Sequence, residues 1–492
     1  MKHRYTMYFT FLSQRFVLIV LFLVSLSVLK AQTVDHWKGF WEGTLQVSEQ
    51  SISVVFDFDH TGVTHDVFID VPQQSLLHYK ASASQIAGDS CHLSFQSFGA
   101  SFTGRLTGDS IQGFWDQNGA HLPITLHPKS GGLSLSRPQT PKGPFPYRSE
   151  EVQFANRDHS ILFGGTLTEP LGAGPFPAVV FITGSGQQDR NQTIAGHQPF
   201  WVLADYLSRR GLAVLRMDDR GIGKTTGNFK SSTTLDFAED IEDAVQFLQA
   251  RTDIRADQIG LLGHSEGGLI APIVASRSQA IAFIILLAGP GLKGDKLLKE
   301  QNSVLLQIQG APPKLAEAYS QLLYRWAKIS EETTDSVRAL TQSMAAYQQW
   351  QKIYHTASSI ALFHTTDIRQ IVLLARQEYL KNTAPWLHTF LQLDPANYLK
   401  KTLCPVLVLQ GSLDAQVIAL SNTQAIKTAL VVAGNHQVTV KIFPGLNHLF
   451  QHCGNLSHST SYALIEETVA PEVMKAITTW LNARNITKQY GQ

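Results

Sequence analysis

Residues 259–267 read IGLLGHSEG, and this stretch decides the fold. Its first five residues form a short apolar run of the kind buried in parallel sheets, and an apolar helical pattern follows from Gly267. Ser265 therefore falls at a sharp turn between a strand and a helix, which is typical of a nucleophile elbow. Gly263 and Gly267 flank the turn because a side chain would clash there, and we predict a positive φ at Ser265.

A serine hydroxyl needs a general base and an acid to become a good nucleophile, and the chain supplies both after the elbow. An apolar strand predicted at residues 406–409 is followed by a short loop that ends in Asp414, the candidate acid. An alternating strand predicted at residues 438–443 is followed by Pro-Gly-Leu-Asn and then His448, the candidate base. We expect both side chains at the carboxyl edge of the sheet, beside Ser265.

These residues make the chain resemble the α/β-hydrolase superfamily, and in particular its branch of bacterial exported esterases and serine-aminopeptidase-like enzymes. In that branch a β-rich domain can precede the hydrolase domain. The order Ser, Asp, His along the chain is the order of this superfamily. The resemblance covers about residues 147–485, and it includes the motifs FITGSG at 181–186, DRGIG at 219–223 and GLNH at 445–448. It implies an α/β fold with a mostly parallel eight-stranded sheet, a helical cap insertion and a preceding small all-β domain.

An oxyanion hole should use two backbone N–H groups aimed at the developing negative charge. One belongs to Glu266, the residue after the nucleophile, at the start of a helix. The second is expected from the loop after the first core strand, at Ser185 or its neighbour Gly186. Related enzymes carry a His-Gly motif at this place, and Thr183 is a departure from that histidine. Residues 187–190 either line the pocket or brace the loop.

Two members of the predicted triad have alternatives. Asp414 can instead bond its own turn, as aspartate commonly does in loops. Other histidines stand near His448, but only His448 directly follows a strand and a glycine. These other histidines are His436, His452 and His458.

The sequence predicts no cofactor and no metal. His448, His452 and Cys453 make a poor zinc site because no second pair at zinc-ligand spacing and no H-E-x-x-H motif occurs. Residues 223–225 read GKT, as in a phosphate-binding loop, but that motif needs a glycine where Asp218 stands. Nucleotide binding is therefore disfavoured.

Composition limits the partners of the chain. Its 492 residues are too many for one core and predict two or three folding units. Forty basic and 39 acidic residues leave a formal charge of +1, so nothing indicates nucleic acid or a polyanionic partner. We expect a small-molecule substrate, either an ester or a short peptide, and the oligomeric state stays open.

The first 31 residues predict a secretory signal peptide. Lys2, Arg4 and Arg15 precede an almost wholly apolar run at residues 16–29, and a cleavage site follows Ala31. This run is shorter than the roughly 20 residues that a transmembrane helix needs, so an uncleaved anchor is the less favoured alternative. We expect export to the periplasm or the extracellular space, with no stable membrane insertion after cleavage.

The mature chain is expected to contain an all-β domain, a linker and a hydrolase core. Alternating apolar residues between turn signals predict an antiparallel sandwich or small barrel in the first of these. Its aromatic residues Trp37, Trp41, Phe114 and Trp115 could form a ligand-stacking platform, although aromatic residues in a β core are the commoner explanation. The predicted bounds are 32–128 for the β domain, 129–147 for the linker, and 148–290 with 402–488 for the core.

Far more residues separate Ser265 from Asp414 than one crossover needs, which predicts an insertion at residues 291–401. Apolar residues at helical spacing indicate a helical cap over the nucleophile. These stripes either pack the cap or face the cavity. They comprise Leu315, Tyr319, Leu322, Leu323, Trp326, Leu340, Met344 and Tyr347.

Together these features predict an exported serine hydrolase that cleaves carboxylic esters of small to medium acyl groups through an acyl-enzyme. One alternative is a serine peptidase of aminopeptidase or prolyl-oligopeptidase type, which would use the same triad on an amide. The cap shows no clear acidic cluster for a substrate's free amino group. Another alternative is a non-catalytic binding protein in which the β domain does the work.

Overall fold

A computed structural model describes residues 37–47, 50–59, 66–74, 76–117, 119–133, 135–354, 362–363, 367–454 and 459–487. The predicted signal peptide at residues 1–31 lies outside these ranges. The chain forms two compact units that divide between Ser134 and Leu135, within the stretch predicted as a linker. In the part of the chain that the structure describes, no helix combines the length and the apolar character needed to cross a bilayer.

The first unit is built from nine antiparallel strands. The strands are β1 (Gly39–Val47), β2 (Gln50–Asp59), β3 (Asp66–Val71), β4 (Leu76–Lys80), β5 (Ala83–Ala87), β6 (Ser90–Phe95), β7 (Ala100–Thr107), β8 (Ser110–Gln117) and β9 (Ala120–Lys129). They form one sheet in the order β4-β3-β2-β1-β9-β8-β7-β6-β5. The prediction of an all-β domain is therefore confirmed.

This sheet curves over its own core. Phe56 on β2 and Phe102 on β7 have ring centroids only 4.8 Å apart, although β1, β9 and β8 lie between their strands in the sheet. The four aromatic residues predicted as a possible stacking platform do not share one environment. Trp37, Trp41 and Trp115 are buried in the core, whereas Phe114 is 44% exposed and stacks on His121. The core explanation is confirmed for the three tryptophans.

The second unit alternates strands and helices. Its strands are β10 (Tyr147–Ala155), β11 (Leu162–Pro170), β12 (Phe176–Ile182), β13 (Ala213–Met217), β14 (Ile254–His264), β15 (Ile281–Leu287), β16 (Val406–Gly411) and β17 (Val438–Phe443). The helices outside the insertion are α1 (Pro199–Ser208), α2 (Thr234–Gln249), α3 (Gly267–Arg277), α10 (Ala419–Val432) and α11 (Pro471–Asn482). The insertion between β15 and β16 contains α4 (Gly294–Ile308), α5 (Pro313–Glu332), α6 (Ser336–Ile353), α7 (Ile368–Asn382), α8 (Pro385–Gln392) and α9 (Ala396–Leu399).

The eight strands form one sheet in the order β10-β11-β13-β12-β14-β15-β16-β17. The strands from β13 to β17 in this order pair in parallel, while β10 and β11 add an antiparallel edge. Val180 on β12 packs in one core cluster with α2 and α3, and its neighbour Val179 packs in the other with α1 and α11. Helices thus cover both faces, and the predicted mostly parallel eight-stranded sheet is confirmed.

The insertion between β15 and β16 is helical and has two parts. Helices α5, α6 and α7 share a hydrophobic cluster of their own, which includes Leu315, Leu322, Trp326 and Tyr347. Helices α4 and α8 pack instead on the core of the sheet, through residues such as Leu297. The apolar stripes that the sequence reveals therefore pack the insertion against itself.

Polar contacts hold the insertion where it leaves the sheet. The Asn422 side-chain oxygen, on α10, accepts hydrogen bonds from the backbone N–H groups of Gly291 (2.9 Å) and Leu292 (3.2 Å). Ser421 Oγ donates to the Glu300 carboxylate on α4 at 2.8 Å. The first helix of the insertion is thereby fixed relative to the strands that carry Ser265 and Asp414.

Candidate active site

Ser265 lies at the turn between β14 and α3 with φ of +55°, which confirms the predicted strained conformation. The two flanking glycines are required by close backbone contacts. A Cβ at Gly263 would lie 2.0 Å from the Gly267 carbonyl oxygen, and a Cβ at Gly267 would lie 2.2 Å from that of Ile182. Such distances exclude any side chain. The turn therefore presents the serine hydroxyl at the carboxyl edge of the sheet.

Asp414 and His448 come together at the same edge. His448 Nδ1–H donates to Asp414 Oδ2 at 2.7 Å, and both side chains are buried. Gln410 Nε2 donates to the same carboxylate oxygen at 2.6 Å. The other oxygen accepts the backbone N–H groups of Gln416 (2.8 Å) and Val417 (2.9 Å). Asp414 thus binds its own turn and also orients the imidazole, which leaves His448 Nε2 as a proton acceptor.

Ser265 and His448 line one cavity of about 390 Å³. No hydrogen bond joins the Ser265 hydroxyl to His448 among the described residues. Hydrogen bonds between nucleophile and base are often long before substrate binds, so this geometry is compatible with a catalytic pair.

The alternative histidines lie elsewhere. His452 is exposed and binds two carboxylates, Glu467 at 2.8 Å and Glu472 at 3.1 Å, and the first of these raises its pKa. His436 is also exposed, and His458 lies outside the described residues. No cluster of metal-ligating side chains occurs in the described ranges.

The proposed oxyanion donors differ in their position. Ser185 lines the cavity with Ser265, whereas Gly186 is not among its lining residues. Gly184 brings the loop close to the nucleophile, because a Cβ there would lie 3.2 Å from Ser265 Cβ. The backbone N–H groups of Ser185 and Glu266 donate no hydrogen bond to the described residues. Both donors are thus free to bind an oxyanion.

Residues 187–190 mainly brace this loop. Arg190 donates to both oxygens of Asp218, at 3.0 and 2.6 Å. The Gln188 backbone N–H donates to Asp219 at 2.8 Å, and Gln188 also lines the cavity. Thr183, which stands where related enzymes have histidine, donates its hydroxyl to Asp219 at 2.7 Å. Asp219 therefore fixes the loop at both ends.

The carboxyl group of Asp219 lies in a cluster of acids. Burial raises its pKa to about 7, with smaller contributions from Glu266 and Asp240, while the Thr183 hydroxyl and the Gln188 N–H oppose the shift. The folded protein therefore keeps this proton to a higher pH than the unfolded chain, whose aspartate has the ordinary pKa of 3.8. The resulting stabilisation is complete below pH 3.8 and is lost as the pH rises through about 7.

We therefore expect Asp219→Asn to change the pH dependence of stability. Between the two pKa values Asp219 lowers the melting temperature as the pH rises, so relative to the wild type the melting temperature of the variant should rise with pH, because asparagine does not titrate. Thermal melting at a series of pH values measures this. Asp257→Asn, at an exposed aspartate, is the control and should keep the wild-type slope. An unchanged slope in Asp219→Asn would contradict the assignment.

His264 and Gln192 form a buried brace behind His448 that the sequence did not reveal. Gln192 Nε2 donates to His264 Nδ1 at 2.7 Å, and His264 Nε2–H donates to the backbone oxygen of His448 at 2.9 Å. Burial lowers the pKa of His264 to about 3, and the nearby His448 adds to this shift. The imidazole is thus neutral, as its two hydrogen bonds require. The only sequence signal for this brace was that His264 occupies the first variable position of the G-x-S-x-G motif.

We expect His264→Phe to lower kcat roughly tenfold with little change in KM, because the hydrogen bond that holds the backbone of His448 and the one from Gln192 are both lost while the ring volume is kept. Steady-state kinetics on an ester substrate measures both constants. His436→Phe, at an exposed histidine, should leave both unchanged. A raised KM with unchanged kcat would show instead that His264 only shapes the cavity.

The cavity wall combines the core loops with two helices of the insertion. Helix α4 contributes Leu297, Leu298 and Gln301, and helix α8 contributes Trp386 and Phe390. No described residue of α5, α6 or α7 lines it. The insertion therefore covers Ser265, as predicted, through its first helix and one later helix.

The Glu266 side chain links the turn at Ser265 to helix α8 of the insertion. Its buried carboxylate accepts hydrogen bonds from Thr234 Oγ1 on α2 at 2.6 Å and from Trp386 Nε1 on α8 at 2.8 Å. Burial raises its pKa, while these two donors lower it. The residue that follows the nucleophile thus contacts the cap directly.

Several known proteins are similar to this chain. A family described as "Serine aminopeptidase, S33" matches residues 198–452, a range that includes Ser265, Asp414 and His448. Esterase EstD of Thermotoga maritima is 24% identical over 322 residues, which span 65% of this chain and 66% of EstD, so the match covers about two thirds of that relative. The uncharacterized protein YfhR of Escherichia coli K12 is 28% identical over 218 residues, 44% of this chain and 70% of YfhR. Among solved structures, the Pyrococcus furiosus esterase Pf2001 is 14% identical with a TM-score of 0.42, covering 72% of this chain and 99% of that one.

Proposed function

Because the chain belongs to the serine aminopeptidase S33 family, we propose that it is an exported serine hydrolase that cleaves carboxylic esters of small to medium acyl groups. One observation carries this proposal. His448, which is hydrogen-bonded to Asp414, shares the wall of a single cavity with Ser265, which is held at positive φ. A nucleophile, a base and an oriented acid around one cavity are what acyl transfer requires.

In the proposed mechanism His448 Nε2 takes the proton of Ser265 as Oγ attacks the ester carbonyl carbon. Asp414 holds the imidazole in the correct tautomer and stabilises the imidazolium that forms. His448 then donates the proton to the leaving alkoxide, which departs as the alcohol and leaves an acyl-enzyme. Water then attacks the acyl-enzyme in the same way, with His448 again as base, and Ser265 is released together with the carboxylic acid.

The backbone N–H groups of Ser185 and Glu266 bind the oxygen that becomes negative in each tetrahedral intermediate. Glu266 N–H stands at the start of α3, where the helix dipole also favours negative charge. Ser185 is preferred over Gly186 because it lines the cavity. Removing one donor of this kind typically costs about a hundredfold to a thousandfold in rate.

The cavity wall supports small to medium acyl groups. A volume of about 390 Å³, with Leu297, Leu298 and Phe390 on the wall, accommodates a short apolar chain. Each buried methylene should add about 0.8 kcal/mol of binding until the space is full. The preference for chain length should then peak and fall.

An aminopeptidase is the second candidate function, since Glu266 lines the cavity and its carboxylate could bind an amino group. However, Thr234 and Trp386 already donate to one of its oxygens. The described acidic residues of the cap do not line the cavity. One of them, Glu300, binds Ser421 instead. Ester cleavage is therefore favoured.

A panel of p-nitrophenyl esters from acetate to laurate, measured beside aminoacyl and prolyl anilides, tests this function. We expect turnover of the esters, a maximum at short or medium chains, and much slower anilide cleavage. The Ser265→Ala variant is the background control. Faster cleavage of aminoacyl anilides would establish the peptidase instead, and no turnover of either class would favour a binding protein.

The export of the enzyme is part of the proposal and rests on the first 31 residues. Their basic start and apolar run are typical of a cleaved signal peptide. Fractionation of the producing cells, with N-terminal sequencing of the purified protein, tests it. We expect activity outside the cytoplasm and a mature chain that begins near Gln32. A cytoplasmic enzyme with an intact N-terminus would overturn export without affecting the catalytic proposal.

A further inference from the structure

A second cavity of about 490 Å³ lies in the hydrolase unit, and no described residue lines both it and the cavity at Ser265. Strands β10, β11 and β13 and helix α1 form part of its wall, and Phe145 and the loops at residues 189–191, 218 and 223–224 form the rest. The residues that matter for its chemistry are Tyr147, Glu151, Arg190, Trp201, Arg216 and Lys224.

Arg216 is a buried cation without a carboxylate partner. Only 4% of the residue is exposed, and its Nη1 donates to Asn191 Oδ1. Its Nε has no hydrogen-bond partner, and no ion pair joins Arg216 to any acid among the described residues. Burial lowers the pKa of its guanidinium to about 10. A buried charge in this state is costly and favours binding of an anion.

The other charges on this wall already have partners. Arg190 binds Asp218 at 2.6 Å and Glu151 at 2.8 Å. Lys224 binds Glu151 at 3.2 Å. Asp189 accepts the backbone N–H groups of Asn191 and Thr193 at 3.0 and 2.9 Å. Arg216 is thus the one cation on the described wall that makes no direct ion pair, although the charges of Glu151 and Asp189 also act on its guanidinium.

The same cavity has aromatic surface. Tyr147 and Phe145 lie stacked with centroids 5.2 Å apart, and both line it together with Trp201. Flat aromatic surfaces bind planar apolar groups well. The wall therefore offers an arginine without a direct ion pair beside a surface suited to a ring.

We propose that this cavity is a second binding site, which takes a small monoanionic carboxylate with a planar apolar body and sets the carboxylate on Arg216. A guanidinium matches the planar geometry of a carboxylate. A carboxylate would give Arg216 the direct ion pair that it lacks among the described residues. A dianion such as phosphate would place excess negative charge near Glu151, Asp189 and Asp218, so the site should discriminate against it.

Calorimetric titration of the whole protein with sodium benzoate tests the site, with benzamide and inorganic phosphate as comparison ligands. Benzoate should bind in the millimolar range or tighter, and benzamide and phosphate at least tenfold more weakly. Arg216→Met should weaken benzoate binding roughly tenfold to a hundredfold, which is the usual effect of losing a charged hydrogen-bond partner.

Two further variants keep the test decisive. Ser149→Trp fills the cavity from an exposed position on β10 and should block benzoate even if Arg216→Met fails to fold. Arg277→Met, at an arginine outside the cavity, should bind like the wild type. The proposal is overturned if benzoate does not bind, if binding survives both Arg216→Met and Ser149→Trp, or if benzamide or phosphate binds as well as benzoate.

Discussion

Ser265→Ala should abolish ester turnover, with a rate that falls by roughly 10⁴-fold to 10⁶-fold, while the melting temperature stays close to that of the wild type. The rate falls because the acyl-enzyme cannot form without Oγ. The fold survives because alanine keeps the Cβ that the turn at positive φ already accommodates. Initial rates on a p-nitrophenyl ester and labelling by a fluorophosphonate probe measure the effect.

Ser276→Ala is the matched control. Ser276 lies on α3, eleven positions after the nucleophile, and its hydroxyl only donates to the backbone oxygen of Ile273. This variant should keep both turnover and labelling. Equal activity in Ser265→Ala and the wild type, or loss of labelling in Ser276→Ala alone, would show that Ser265 is not the nucleophile.

His448→Ala should cost nearly as much as the loss of Ser265, because members of a triad act as a unit and their effects do not add. Without the imidazole, Asp414 keeps only its donors from Gln410, Gln416 and Val417 and has no base to orient. The double variant with Ser265→Ala should therefore be hardly slower than either single variant. Kinetics of the single and double variants measure this.

His452→Ala distinguishes the chosen histidine from its neighbour. His452 lies four residues further on and binds Glu467 and Glu472 at the surface. Its loss should leave kcat within about twofold of the wild type, since exposed ion pairs of this kind contribute little. If His452→Ala proved as damaging as His448→Ala, the assignment of the base would be wrong.

The elbow, the sheet and the two partners of Ser265 could be predicted because each leaves a local signal. A strand, a tight turn with glycines and a helix follow one another within residues 259–277, and the φ of Ser265 follows from that order alone. The apolar strands before Asp414 and His448 gave the same kind of signal. The sheet then brings them together because the carboxyl ends of parallel strands meet at one edge.

The brace behind His448 left no such signal. Gln192 and His264 are 72 positions apart, and His264 and His448 are 184 apart, so only the finished fold makes them neighbours. The contact between Glu266 and Trp386 is hidden for the same reason. In the insertion, periodicity marks apolar faces but does not say what covers them. Leu315 and Trp326 pack within the cap, while the cavity takes its wall from α4 and α8.

The division of the insertion has a consequence for how such enzymes diverge. Helices α5, α6 and α7 bury their apolar faces in one another. Mutations in these helices are therefore selected for their effect on the stability of the cap and not for their effect on substrate binding. Within the insertion, selection on the substrate acts through the residues of α4 and α8 that line the cavity. Among related enzymes, differences in substrate range should therefore correlate with changes at a few positions of the insertion and not with the length of the insertion. These positions are Leu297, Leu298, Gln301, Trp386 and Phe390.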